Sequence, residues 1–328
     1  MTTLKDIARI ANVNVSTVSK ALRQNSDLNM QTVTAIRKIA DQLHYPYSLD
    51  GPDRKREPLI GIVCPEIISS YYTGILDSFQ NYVKKAGYET LIMVSGFSDT
   101  REAACIKLLM RHNVCGIICL TESSGSTIQG LAEASAVPFL LVTTVGESTF
   151  CDSISIDDHH SAMMAVDHLA ELGHTKIAYI GDKLSAARRE AFLTALGDRN
   201  IPVVERYIIE TDLRFEECGY DGMRRLLAMQ DRPTGVFAAY DNIAIGAMRA
   251  IAESGLAVPE DISVVGIDNI TTSAYLPRSL TTVTEPTADL GEIASALIIE
   301  KIQNKRRAIQ NIKLRPTLNI RETTAAAR

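Results

Sequence analysis

The 328-residue chain reads as a small all-α helix-turn-helix head joined to a two-lobed α/β body. Three observations predict this. Two short helical periods flank a turn within residues 3–22, apolar strands alternate with amphipathic helices from residue 59 onward, and the charge shifts between the two regions. Residues 1–56 hold nine lysines and arginines against five acids, so the head carries +4 and the rest −9 of the net −5. A basic head on an acidic body suits contact with a polyanion at one end, although +4 alone also fits an ordinary fluctuation of surface charge.

In the head, Leu4, Ile7, Ala8 and Ala11 share one helical face, and Asn12-Val13-Asn14 supplies turn chemistry. A second short helix is expected to bury Val15, Val18 and Leu22 and to expose Ser16, Thr17, Ser19 and Lys20. Such a pair places its second helix in the DNA major groove. The same geometry also occurs as the opening of ordinary α domains. In the body, strands are expected at 59–63, 90–94, 115–120, 177–180, 207–210, 235–238 and 262–267. Helices are expected at 75–85, 101–112, 188–199, 219–229 and 242–255. Repeated βα units imply parallel sheets covered on both faces, with a ligand at the carboxyl ends of the strands between two lobes.

Composition excludes several classes. No apolar run approaches the roughly 18 residues of a membrane span, and the N-terminus lacks a secretory pattern, so a cytoplasmic protein without membrane contact is expected. The six cysteines form no CxxC pair and read as reduced thiols, with Cys115 and Cys119 inside a buried strand. There is no G-x-S-x-G elbow, P-loop or dinucleotide fingerprint, so neither an enzyme nor a cofactor is expected. His159-His160 beside Asp157 and Asp158 suggests a metal less well than it suggests a carboxylate capping the helix that runs to Leu172.

The wording of the sequence narrows this further. Leu4-Lys5-Asp6-Ile7-Ala8, then Val15-Ser16-Thr17-Val18-Ser19-Lys20-Ala21-Leu22, resembles the opening of the lactose-repressor (LacI/GalR) family of bacterial transcription regulators. The likeness continues through His168 to His174 with Ile177 to Gly181, Asp241 to Ala247, Asp261 to Asn269, Leu280 to Val283 and Arg321 to Thr324. These motifs stand in the family's order and span nearly the whole chain. The resemblance implies a periplasmic-binding-protein-like (sugar-binding) body, which the chain crosses three times, near residues 157, 286 and 315. Lobe 1 is then about 59–156 and 287–314, and lobe 2 about 157–286 and 315–328, after a head at 1–46 and a linker at 47–58.

The resemblance also implies the site residues. DNA contact falls to Thr3, Asn14, Val15, Ser16, Thr17, Ser19, Lys20 and Asn29, with Val15, Ser16 and Lys20 reading bases and Asn14 and Thr17 on phosphates. Lys20 stands where the family usually has arginine, which makes its contact a point charge rather than a fork. Effector contact falls to Tyr71, Tyr72, Thr143, Arg188, Arg214, Tyr240, Asp268 and Glu285. An arginine fork and a carboxylate suit a polyhydroxylated ligand, and flat tyrosine faces suit a sugar ring. The plainer alternatives, a turn cap for Asp268 and a surface ion pair for Arg188, fit these residues less well than ligand contact. Thr143 and Tyr240 replace the family's usual carboxylate and asparagine. Arg214 would favour an anionic effector such as a sugar phosphate, whereas Phe215 beside it supplies the family's aromatic after a one-residue shift.

The linker departs from the family's pattern. Tyr45-Pro46-Tyr47-Ser48-Leu49-Asp50-Gly51-Pro52 contains no Ala-x-x-Leu, and Gly51-Pro52 would break a hinge helix, so a tether is expected instead. A shifted short helix using Leu49 as its wedge is the counter-reading. The resulting expectation is a homodimer on palindromic operator DNA, most simply a repressor of carbohydrate-utilisation genes whose effector is a sugar or sugar phosphate. No leucine-heptad tail follows Arg321 to suggest a tetramer. A transport solute-binding protein would share the cleft but lack the head.

Overall fold

In a computed structural model of the chain, the described residues are 3–22, 28–43, 45, 58–121, 126–143, 147–304 and 308–327. The linker expectation, apart from Pro58, lies outside them. Two units, residues 1–57 and 58–328, each hold together by their own contacts.

The N-terminal unit contains α1 (Leu4–Ala11), α2 (Val15–Ala21) and α3 (Met30–Gln42). Asp6 accepts hydrogen bonds from the Thr3 backbone N–H at 2.9 Å and the Thr3 hydroxyl at 2.7 Å, which fixes the start of α1. Asn12, at φ +51°, ends that helix in the left-handed conformation that asparagine tolerates. Ile7, Ala8, Val18, Ala21, Leu22, Val33, Ile36 and Ala40 form the core. Val15 does not join it and is 40% exposed. It opens α2, where the side chain tilts back past the end of the packed face, so helical spacing overstated its burial.

The body begins with β1 (Leu59–Cys64), α4 (Ser70–Lys85), β2 (Glu89–Val94), α5 (Asp99–Arg111), β3 (Gly116–Thr121), α6 (Ser126–Glu133), β4 (Phe139–Thr143) and β5 (Asp152–Ile156). It continues with α7 (Asp158–Glu171), β6 (Ile177–Asp182), α8 (Ala186–Asp198), β7 (Ile208–Thr211), α9 (Phe215–Leu227), β8 (Gly235–Ala238), α10 (Asp241–Glu253), β9 (Ser263–Ile267) and β10 (Thr281–Thr284). Then come α11 (Thr287–Ile302), β11 (Asn311–Leu314) and β12 (Thr317–Asn319). The first sheet runs β11-β5-β4-β3-β1-β2 and is parallel throughout. The second runs β12-β10-β9-β8-β6-β7 and is parallel except where β12 pairs antiparallel with β10.

The chain changes sheets after Ile156, after Thr284 and after Leu314. Ser78 on α4 donates to the Ala288 carbonyl at 2.6 Å, so α11 packs in the first half although it follows the second sheet. Helix starts lie earlier than periodicity suggests, and at α4 and α5 the reason is a polar cap ahead of the first apolar residue. Ser69, for example, accepts from the Tyr72 N–H and starts α4 at Ser70 rather than Ile75. Cys115 precedes β3 and is half-buried, whereas Cys119 is fully buried. Among the described residues, no helix is long and apolar enough to cross a membrane.

Candidate functional site

The strands of both sheets end on a common cleft within the body. Loops and helix starts deliver its side chains: Tyr71 and Tyr72 at the start of α4, Arg188 in the first turn of α8, and Tyr240 before α10. Asp268 follows β9 and Glu285 follows β10. Arg214 sits immediately before α9. The packing of α9 against α10 depends on two glycines. A Cβ on Gly219 would fall 1.8 Å from the Ile243 carbonyl oxygen, and one on Gly246 would fall 2.0 Å from the Glu216 carbonyl oxygen. Only the bare backbone lets α9 and α10 touch there.

Arg188 is the centre of the floor. Its Nε donates to Asp158 at 3.2 Å, Nη1 to the Ala239 carbonyl at 2.7 Å and to Asp268 at 3.5 Å, and Nη2 to Glu285 at 2.5 Å. The Tyr240 ring lies 5.0 Å from its guanidinium carbon. Arg188 is therefore a buried hub, not a surface ion pair. Burial opposes its charge, but Glu285, Asp158 and Asp268 outweigh that and raise its pKa. Burial pushes both Asp268 and Glu285 upward, against the pull of Arg188. Glu285 is 3% exposed, and its Oε2 has no hydrogen-bond partner among the described residues.

Asp268 is held at φ +110°, a strained conformation for a non-glycine residue. Its loop is tied from two sides. Asp241 accepts from the Ile270 N–H at 2.9 Å and from the Thr282 hydroxyl at 2.5 Å, and burial pushes its pKa up to about 7. Arg321, in the closing segment, donates to Asn269 at 2.6 Å and to the Leu280 carbonyl at 2.8 Å. Asp268 is thus a presented carboxylate rather than a cap.

Arg214 forms the rim. Its Nη2 lies 3.3 Å from Glu66, which follows β1, and its Nε lies 2.9 Å from Asp182 at the end of β6. Phe97 and Phe215 flank it, with ring centroids 5.5 and 4.5 Å away. The Arg214–Glu66 pair therefore bridges the two halves. Water-sized free space in the cleft is about 60 Å³, because these side chains fill it. A roomier recess of about 420 Å³, near the start of α7, collects Glu147, Asp157, His159, Glu190 and Lys313, without the buried unpaired oxygen found in the cleft.

Seven of the eight residues expected at an effector site line this cleft: Tyr71, Tyr72, Arg188, Arg214, Tyr240, Asp268 and Glu285. Thr143 does not; it is buried at the end of β4. Asp158, Glu66 and Phe97 join the lining unannounced. Asp158 was half visible in the Asp157-Asp158 doublet: Asp157 caps α7 by accepting from the His160 N–H at 3.1 Å, which leaves Asp158 to face Arg188. Glu66 and Phe97 sit in loops at strand ends, which carry no periodic signal. In the N-terminal unit, Thr3, Asn14, Val15, Ser16, Lys20 and Asn29 are exposed, and Thr17 and Ser19 are half-buried. The Asn29 side chain accepts from the Gln31 N–H and caps α3.

A profile of bacterial regulatory proteins of the lacI family matches residues 3–47, and one of periplasmic binding protein-like domains matches residues 166–324. The HTH-type transcriptional repressor PurR of Photorhabdus laumondii subsp. laumondii is 31% identical over 326 residues, covering 97% of this chain and 95% of that protein. The HTH-type transcriptional repressor PurR of Klebsiella pneumoniae is 31% identical, covering 99% and 97%. Among solved structures, the lac repressor dimer bound to operator and the anti-inducer ONPF aligns at a TM-score of 0.76 with 27% identity, covering 99% of both chains. A LacI family regulator from Enterococcus faecium with bound ribose aligns at 0.73 with 27% identity, covering 82% of this chain and all of the other.

Proposed function

The chain belongs to the LacI family of bacterial regulatory proteins, and on that premise we propose that it is a ligand-responsive transcriptional repressor. In this reading α2 reads operator DNA, and the body cleft binds a small polyhydroxylated metabolite that changes operator affinity. One observation carries it: Arg188, Asp268 and Glu285 converge with tyrosine faces on a single cleft, in a chain that also presents the polar face of α2. The ribose-bound relative supports a carbohydrate effector, and control of carbohydrate-utilisation genes follows from that effector. A single short recognition helix reads few base pairs, so a homodimer on a palindrome is the fitting assembly, as in the lac repressor dimer on its operator. Such a regulator works in the cytoplasm.

The charge balance weighs against a phosphorylated effector. Arg214 is already engaged by Glu66 and Asp182, and Arg188 by three carboxylates, so an anion would have to displace these partners. The helix-turn-helix unit weighs against a transport solute-binding protein.

Gel-shift titration at fixed salt tests the DNA half of the reading. Lys20→Ala is expected to weaken specific operator binding by about 1–3 kcal/mol. Full affinity in that variant would remove α2 as the reading helix.

A further inference from the structure

We propose that the effector carries a protonated nitrogen, as an amino sugar does, and that this nitrogen docks between Glu285 and Asp268. The inference rests on the cleft being the effector site. Its first support is charge. Two guanidinium groups, Arg188 and Arg214, face five carboxylates, Glu66, Asp158, Asp182, Asp268 and Glu285. Arg188 alone is shared by three of them. Buried charge is tolerated when it is paired, and here the pairing falls short by more than one cation.

The second support is an unused acceptor. Glu285, which lines the cleft, gives Oε1 to Arg188, while its buried Oε2 has no hydrogen-bond partner among the described residues. Asp268 holds Arg188 only at 3.5 Å, so its carboxylate is weakly engaged as well. A neutral hydroxyl would satisfy Oε2 as a hydrogen bond but supply no charge against which the surplus carboxyls could ionise. An ammonium group provides both. In the empty cleft, burial favours the protonated carboxyls. A cationic ligand therefore ionises them and releases protons as it binds.

The test uses the full chain at pH 6.5, where the hexosamines are already protonated, with glucosamine, galactosamine and mannosamine against glucose, galactose, mannose and glucose 6-phosphate. Thermal shift and titration calorimetry are read, the latter in buffers of different ionisation enthalpy. At least one hexosamine should bind ten-fold or more tightly than its neutral parent, with proton release. Glu285→Gln, which keeps an oxygen for Arg188, should cut hexosamine affinity about ten-fold and narrow that gap. If the variant does not fold, proton release by the unaltered protein still decides. Binding of neutral hexoses as tight as that of their amines, or tighter binding of glucose 6-phosphate, would overturn the inference and leave the effector site standing. Stabilisation by none of the seven would overturn both.

Discussion

The floor and the rim of the cleft each hold one arginine, and the two are built differently. Arg188 on the floor is buried; Ala239 and Asp268 reach it from the half that carries the second sheet, and Asp158 and Glu285 reach it from two of the points where the chain crosses between sheets. Arg214 on the rim is a third exposed and reaches across to Glu66 and Phe97 of the other half. The floor is thus tied to the crossings that join the halves, whereas the rim contact exists only when the two halves approach. We read the floor as the device that selects ligand chemistry and the rim as the device that reports closure. With only about 60 Å³ free, closure has to relax for a sugar-sized molecule to enter.

The largest effect should follow loss of the floor arginine. Arg188→Ala leaves three acids around a buried site without their shared cation, and a cost of about 3–5 kcal/mol is expected in urea unfolding. The cost should be smaller at pH 6 than at pH 8, because protonation relieves the repulsion. An unchanged denaturation midpoint would mean that the floor is not a buried hub.

A smaller effect should follow Gly219→Ala, which forces α9 and α10 apart where a Cβ would meet the Ile243 carbonyl oxygen at 1.8 Å. Overpacking of this kind costs about 1–3 kcal/mol. It should also shift Arg214 relative to Tyr240 and weaken ligand binding beyond its effect on stability. Equal stability of variant and parent would place that helix contact elsewhere.

The floor should also respond to pH, with a sign that follows from its acids. Asp241, at about 7, and the upward-shifted Asp268 and Glu285 bind protons more tightly folded than unfolded. Their stabilisation is complete below about pH 4 and is lost as pH rises through about 7 and above. His168 and His174 work in the opposite direction. Burial lowers their pKa values, so their contribution is present above about pH 6.5 and lost as pH falls below it. The unliganded protein should therefore melt at lower temperature at pH 8.5 than at pH 7, and Glu285→Gln should flatten that limb. A melting temperature that climbs steadily to pH 8.5 would contradict these shifts.

The smallest effect belongs to the rim. Arg214 and Glu66 form a partly exposed pair, and Glu66→Gln, which leaves Arg214 on the buried Asp182, should cost no more than about 1 kcal/mol in stability. The variant should nonetheless adopt a more open body, read as a larger radius of gyration in small-angle scattering without ligand. If the radius stays the same while stability drops by several kcal/mol, the roles assigned to floor and rim are reversed.

These two arginines also mark how far the sequence could be read. Helical spacing in α1, Asn12 at the turn, and the apolar runs of β1, β3 and β6 made the head and the α/β body legible, because each signal is local. Arg188 and Asp268 were legible through the motifs around them. Asp158 was half legible in the doublet that caps α7, and Glu66 and Phe97 were not legible, since a residue in a loop after a strand has no periodicity to announce which cleft it enters. Thr143 erred the other way: it stands at a strand end but stays buried there. Val15 shows the same limit on a helix, because spacing describes a face and not where the core beneath it stops. The bridge from Arg214 to Glu66 joins residues 148 positions apart, and only the folded chain reveals it.

The central claim is that the Arg188 cleft controls the DNA-binding unit. It is tested most directly by fluorescence anisotropy of an operator fragment selected from a random library, titrated with the full chain and with its Asp268→Asn variant. Each titration is run with and without whichever hexosamine or hexose most stabilises the unaltered protein. The account predicts that the sugar shifts operator affinity of the unaltered protein at least several-fold, whereas Asp268→Asn binds the operator normally and does not respond. An Asp268→Asn variant that responds at the same sugar concentration, and to the same extent, would contradict it.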